Sequence, residues 1–173
     1  KVIWSVDTGD RVSSSPAVFE STAYIGGHAG IVYAVDTHSG KVKWQYPAAA
    51  SLNVQPEVKT PDSAEGANDK ASTPTSSTAP STSVSSGGAP TDSKPAIGIG
   101  RITSSPCVSP NSVIVTSQDR SVYCLSTKDG SLQWQVKTGG RLMASPMILD
   151  NTVYLGSWDN AFYAIDISTG RIR

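Results

Sequence analysis

The chain has 173 residues, room for one domain of ordinary size, and a formal net charge of +0. That balance supplies no bulk attraction to nucleic acid or a membrane surface, and no apolar run reaches the roughly 20 residues of a membrane helix. Charged residues make up 16%, under the usual quarter or so; glycine, serine, threonine and proline fill the gap, which favours strands and turns over helices.

Lys1-Val-Ile-Trp4 opens the chain and matches Lys41-Val-Lys-Trp44, so residues 1–6 read as a strand of the same kind as the one ending at Trp44. Arg11-Val12 and Ser15-Pro16 follow. Residues 16–19, 23–26, 31–35 and 42–44 are short runs rich in β-branched and aromatic residues, bounded by turn residues, and are predicted strands. The turn over residues 36–40 ends in Gly40, where a hairpin needs a left-handed residue.

Next comes a stretch over residues 47–98 whose heart, residues 71–90, is almost wholly Ser, Thr, Pro, Ala and Gly. With so few large apolar groups it cannot offset the entropy of ordering, and it is predicted to be disordered. A tolerated surface-loop insertion suits it, since long loops cost little more than short ones. An O-glycosylated or phosphorylated tether, or a docking segment, is the functional alternative.

Past the insertion the first pattern returns twice. Arg101-Ile102, Ser105-Pro106, a strand over 112–116, Tyr123, Gly130 and Trp134 form one copy; Arg141-Leu142, Ser145-Pro146, a strand over 153–156, Tyr163 and Gly170 form the next. Pro106 and Pro146 are 40 residues apart, and Pro16 and Pro106 are 90 apart, one repeat plus 50. Seventeen residues after each proline stands Tyr33, Tyr123 or Tyr163, and twenty-four after stands Gly40, Gly130 or Gly170. So many coincidences in one frame establish an internal repeat of four strands per roughly 40 residues, the size of a propeller blade. The predicted fold is all-β: antiparallel four-stranded blades in an incomplete ring, interrupted by the long insertion. Residues 1–46 hold the first blade, with the fourth strand of a preceding blade at 1–6; 99–136 hold the second and 137–173 the third. Because the chain both begins and ends on a fourth strand, it reads as part of a longer array, or as a unit that pairs with other copies.

The pattern SSP-x7-Y-x-G followed by VYA-x-D-x-x-x-G-x-x-x-W resembles the PQQ-like repeat of β-propellers, over about 123 of the 173 residues. The resemblance implies that Trp4, Trp44 and Trp134, each ending a fourth strand, wedge between neighbouring blades. It leaves function open. The family includes quinoprotein dehydrogenases, a propeller lipoprotein of the outer-membrane barrel-assembly machinery, extracytoplasmic domains of bacterial Ser/Thr kinases, and propellers of acyl-activating enzymes. In the quinoproteins a quinone lies between a Trp and a disulfide of adjacent cysteines, with a calcium site and a catalytic Asp. This chain has two cysteines, Cys107 and Cys124, which are not adjacent; two strands apart, they lie too far from each other for a disulfide and read as buried reduced thiols.

No Gly-rich phosphate loop, HExxH or nucleophile elbow is present. His28 falls between second and third strands and His38 before a fourth, on opposite faces, so a shared metal or triad is not expected; no catalytic, cofactor or metal residue is assigned. The sharpest positive feature is Arg11, Arg101 and Arg141 at one repeat position, in the links into the first strands. Three guanidiniums near one mouth would suit a carboxylate or acidic peptide; the alternative is a structural role, each paired with a carbonyl or a neighbouring Asp. The loops between second and third strands should reach the same face with His28, Asp119, Arg120, Trp158, Asp159 and Asn160, a polar rim around one aromatic. Trp158 breaks the repeat, standing where His28 and Gln118 stand in the other copies.

The expected function is a non-catalytic interaction or scaffold module, part of a larger or oligomeric propeller. It would bind a protein or peptide, further blades or other copies, and neither nucleic acid nor, by any span, a membrane. Alternatives are the accessory or sensor propeller of an acyl-activating enzyme or Ser/Thr kinase, and a fragment of a quinoprotein dehydrogenase. Low charge and Ser/Thr richness lean toward a periplasmic or extracellular site, against the lean of two unpaired thiols.

Overall fold

Alternating apolar residues between tight turns produce thirteen short strands in a computed structural model that describes residues 1–47, 58–59 and 99–173. The predicted disorder of 47–98 falls almost wholly outside these residues. β2 (Ala17–Phe19), β3 (Thr22–Gly26), β4 (Val32–Asp36) and β5 (Val42–Tyr46) form one antiparallel sheet in sequential order. β7 (Cys107–Ser109), β8 (Ser112–Thr116), β9 (Ser121–Ser126) and β10 (Leu132–Lys137) form a second, and β11 (Met147–Leu149), β12 (Thr152–Gly156) and β13 (Phe162–Asp166) a third. A bridge from Ile165 to Ile172 marks the position of a fourth strand in the last sheet. β1 (Ser5–Val6) pairs antiparallel with β6 (Val58–Lys59). The chain is therefore all-β with four-stranded antiparallel blades, as its repeat indicates.

The core lies between the blades, because the two-residue pleat sends alternate side chains to opposite faces. From β4, Val32 and Ala34 face the second blade and meet Val113, Val115, Tyr123 and Leu125; Tyr33 and Val35 face the other way and meet Trp4 and Val6. From β8 and β9, Ile114, Val122 and Cys124 meet Val153, Leu155 and Ile165 of the third blade. The residue after the second and third repeated arginines is a plug between blades. Ile102 and Leu142 are both 0% exposed, and Ile102 lies so close to Gly26 that no Cβ would fit there.

Each blade also takes the indole of the fourth strand before it. Trp4 Nε1 donates to Thr37 O at 2.9 Å, Trp44 Nε1 to Thr127 O at 3.0 Å and Trp134 Nε1 to Ile167 O at 2.7 Å. The same rings lie against Gly40, Gly130 and Gly170, where a Cβ would stand 2.8, 2.5 and 2.9 Å from ring carbons. These glycines have φ near +70°, so one residue both closes the hairpin and clears the ring's seat. A serine ladder runs alongside: Ser15 N donates to Ser105 Oγ and Ser105 N to Ser145 Oγ, both at 3.0 Å.

The turns before the fourth strands are tied by carboxylates. Asp36 Oδ1 accepts from the Ser39 N–H, the Ser39 hydroxyl and the His38 N–H; Asp166 takes the equivalent three from residues 168 and 169 and pairs with Arg173 at 2.6 Å. Ser39 at Asp36 and Arg173 at Asp166 are the chief causes that hold both carboxyls at about 2, below their usual 3.8. The charged forms are favoured by folding, so their contribution is present above pH 3.8 and is lost as pH falls toward 2. The melting temperature is expected to drop over that window, and the Asp36→Asn variant to show a shallower drop than the parent, checked by thermal melts at half-unit pH steps.

Candidate partner-binding face

The links into the first strands and the loops between second and third strands lie together, stitched by backbone bonds that repeat from blade to blade. His28 N donates to Arg11 O at 2.9 Å, Gln118 N to Arg101 O at 3.0 Å and Trp158 N to Arg141 O at 3.1 Å. The second and third links are also gripped by the blade before them: Ile102 N donates to Gly27 O, and Leu142 N to Ser117 O, both at 3.3 Å. The carbonyls of the arginines are thus fixed and their side chains turn outward. Arg11, Arg101 and Arg141 are exposed, and none of the three guanidiniums has an ion pair or hydrogen bond among the described residues.

The loops themselves are Asp-centred turns in two blades of three. Asp119 Oδ1 accepts from Ser121 N at 2.9 Å and Oδ2 from the Tyr123 hydroxyl at 2.5 Å. Asp159 Oδ1 accepts from Ala161 N at 3.0 Å and Oδ2 from the Tyr163 hydroxyl at 2.7 Å. The Tyr163 bond is the main reason Asp159 stays below the ordinary carboxylate range and the Tyr163 phenol above its own; burial, then Asp119, raises Tyr123. Both acids therefore hold the loop with their oxygens. Arg120 and Asn160 follow them at φ 75° and 67°, the left-handed position that Gly30 fills at 75° in the first blade. A signal for these locks stands in the sequence, Asp-x-x-x-Tyr at 119–123 and 159–163, with Ala29 in place of the acid before Tyr33; residue-type reasoning alone passed over it.

His28 is half-buried, with Nε2 2.7 Å from Ser13 Oγ, while His38 is exposed in the turn beside Asp36. Trp158 is 66% exposed. On the other side, at the turns that include Asn111 and Ser168, a cleft of about 380 Å³ lies between the second and third blades. Its polar groups are engaged: Gln133 spans Asn111 O and Ser112 Oγ, and Asn151 bonds Ser168.

Cys107 and Cys124 lie on β7 and β9, each opposite Ile114 on the strand between them. Both are free thiols, pushed up by burial to about 12 and about 11, and Cys124 Sγ donates to Gln133 Oε1 at 3.1 Å. A quinone platform of adjacent bonded cysteines has no counterpart in this arrangement, so these residues do not fit that cofactor. Among the described residues no cluster of three or more His, Cys, Asp or Glu is placed to hold a metal, and no helix is long and apolar enough to cross a membrane.

Stacked four-stranded blades, an indole lock and one loop-bearing face define a module of a PQQ-like β-propeller. The profile described as outer membrane protein assembly factor BamB matches residues 1–62 and 76–173, and the chain belongs to that family. No curated protein matches it by sequence. Among solved structures, BamB from Moraxella catarrhalis superposes with TM-score 0.62 at 20% identity, covering 96% of this chain and 38% of that one. A quinohemoprotein alcohol dehydrogenase from Pseudomonas putida gives TM-score 0.57 at 17% identity, covering 96% of this chain and 20% of that one. The chain thus spans 38% of the BamB and 20% of the dehydrogenase, and at these identities the likeness is one of fold.

Proposed function

We propose that the chain is a non-catalytic protein-interaction module, part of a larger or oligomeric PQQ-like propeller, that binds a protein or peptide partner through the face carrying Arg11, Arg101, Arg141 and Trp158. One observation carries the reading: three exposed guanidiniums with no ion pair among the described residues lie on the same face as an indole 66% exposed. Arginine and tryptophan are the side chains that most often dominate protein interfaces, the first through its planar fork and the second through area. The family's description as an assembly factor fits such a role.

A photo-crosslinking amino acid at position 158 tests it, with position 38 on the opposite face as control. In extract of the source cell, adducts to a protein are expected from position 158, with at least about tenfold less in an Arg101→Glu/Arg141→Glu background, the loss that removing one or two interface anchors produces. Equal adducts from positions 158 and 38, or none from 158, would overturn the assignment.

A further inference from the structure

The two ends of this face are not built alike. In the second and third blades the loop is closed by Asp119 with Tyr123 and by Asp159 with Tyr163. In the first blade Ala29 stands in place of the acid, and the Tyr33 hydroxyl donates to Thr8 O at 3.2 Å instead. The link between the two locked loops is fastened to both. Thr138 donates to Arg120 O through its N–H at 2.7 Å and its hydroxyl at 2.9 Å. At its other end Gly139 lies where a Cβ would stand 2.8 Å from Asp159 Oδ2, and Gly140 lies closer still to the Asp159 backbone. Arg120, Arg141 and Trp158 therefore hang from one hydrogen-bonded frame.

The charges differ too. The two carboxylates inside this frame have hydrogen bonds on both oxygens, whereas Arg11 sits beside exposed Asp10, whose Oδ1 accepts the Arg11 N–H at 2.7 Å. The first-blade end thus carries its own competing anion. The far end offers two exposed guanidiniums and an indole face with no free acid in the loops that hold them.

Resting on the partner-binding reading above, we infer that the binding centre is Arg120, Arg141 and Trp158, that it takes a peptide segment bearing a carboxylate next to an apolar side chain, and that Asp159 and Tyr163 are positioning residues. A guanidinium fork matches a carboxylate in geometry as well as charge, and the indole covers the neighbouring apolar group. Closing the loop beforehand removes ordering cost from the binding step.

The test uses surface-immobilised synthetic peptides with Asp-Phe and Glu-Leu pairs, compared with Asn-Phe and Gln-Leu counterparts, against the whole chain and five variants. Acidic peptides should bind at least about tenfold tighter than the amides, with Arg141→Ala and Trp158→Ala each losing about tenfold and Arg11→Ala, at the edge of the same face, losing about threefold. Tyr163→Phe should weaken binding about threefold and speed hydrogen exchange at the Ala161 amide, with Tyr163→His, which keeps a donor, recovering part of both. Equal binding of acid and amide peptides overturns the carboxylate. An Arg11→Ala loss as large as that of Arg141→Ala overturns the centre while leaving the face. Unchanged peptide affinity in Tyr163→Phe despite faster exchange overturns the positioning role. Failure of every peptide, with crosslinking from position 158 intact, overturns the ligand class alone.

Discussion

Replacing Gly130 by alanine loosens the second blade from the first and lowers stability by about 3 kcal/mol, read as a fall in the urea midpoint at unchanged slope. Two costs add. The residue holds φ at +73°, where an L side chain costs roughly 1–2 kcal/mol. The new methyl would also stand 2.5 Å from Trp44 Cε3 and 2.7 Å from Cδ2, so the ring must withdraw. Withdrawal strains the Trp44 Nε1 bond to Thr127 O, whose loss costs about 1 kcal/mol, and disturbs the tilted contact of Trp44 with Tyr24 at 5.7 Å between ring centres. Gly156→Ala is the control, since nothing lies within 4 Å of its added Cβ; it should stay within about 0.5 kcal/mol of the parent. Similar values for the two variants would mean that the glycine is not a seat.

Leu142→Ala is expected to cost about 3 kcal/mol and Val12→Ala less than about 1, although the two residues occupy the same repeat position. Leu142 is 0% exposed, packed with Ile114, Val153 and Ile165 between the second and third blades. Truncating such a side chain forfeits its transfer energy and leaves a cavity that a stiff sheet pair fills poorly, about 2–5 kcal/mol in all. Val12 is 43% exposed, so a large share of its surface is already in water and less is lost. Thermal melts of both variants at one protein concentration compare the two directly. Equal losses would show that the link residues act through their own backbone, and not as plugs between blades.

How much of this was visible beforehand follows from where each feature is encoded. Strands and turns are local, so the repeat revealed them: residues 112–116 coincide with β8, and Gly40, Gly130 and Gly170 take the left-handed backbone the hairpins need. Most strand ends moved by a residue or two, while the strand read at 1–6 is confined to Ser5–Val6, which pairs with Val58–Lys59. The strand read at 31–35 runs from Val32 to Asp36, and the one read to Trp44 continues to Tyr46, because pairing with the neighbouring strand sets the limit and composition does not. Contacts between blades were less legible. Trp4 and Gly40 stand 36 residues apart, as do Trp134 and Gly170, but Trp44 and Gly130 stand 86 apart across the insertion; each residue was conspicuous, yet the pairing of one copy's ring with the next copy's glycine exists only after stacking. The arginines drew the eye, while their partners in the motif, Ile102 and Leu142, supply the burial. Asp119 and Asp159 looked like free rim charges from residue type. Their engagement depends on a tyrosine four residues on, in the third strand, and therefore on how sharply the chain turns.

Hydrogen exchange at the indole N–H groups addresses the blade-to-blade lock most directly, since the chain's four tryptophans give four resolvable signals. Trp44 and Trp134, whose Nε1 atoms donate to Thr127 O and Ile167 O, should exchange at least about a hundredfold more slowly than Trp158, which is 66% exposed. Exchange of all four at one fast rate would contradict the account, because no indole could then be holding one blade to the next.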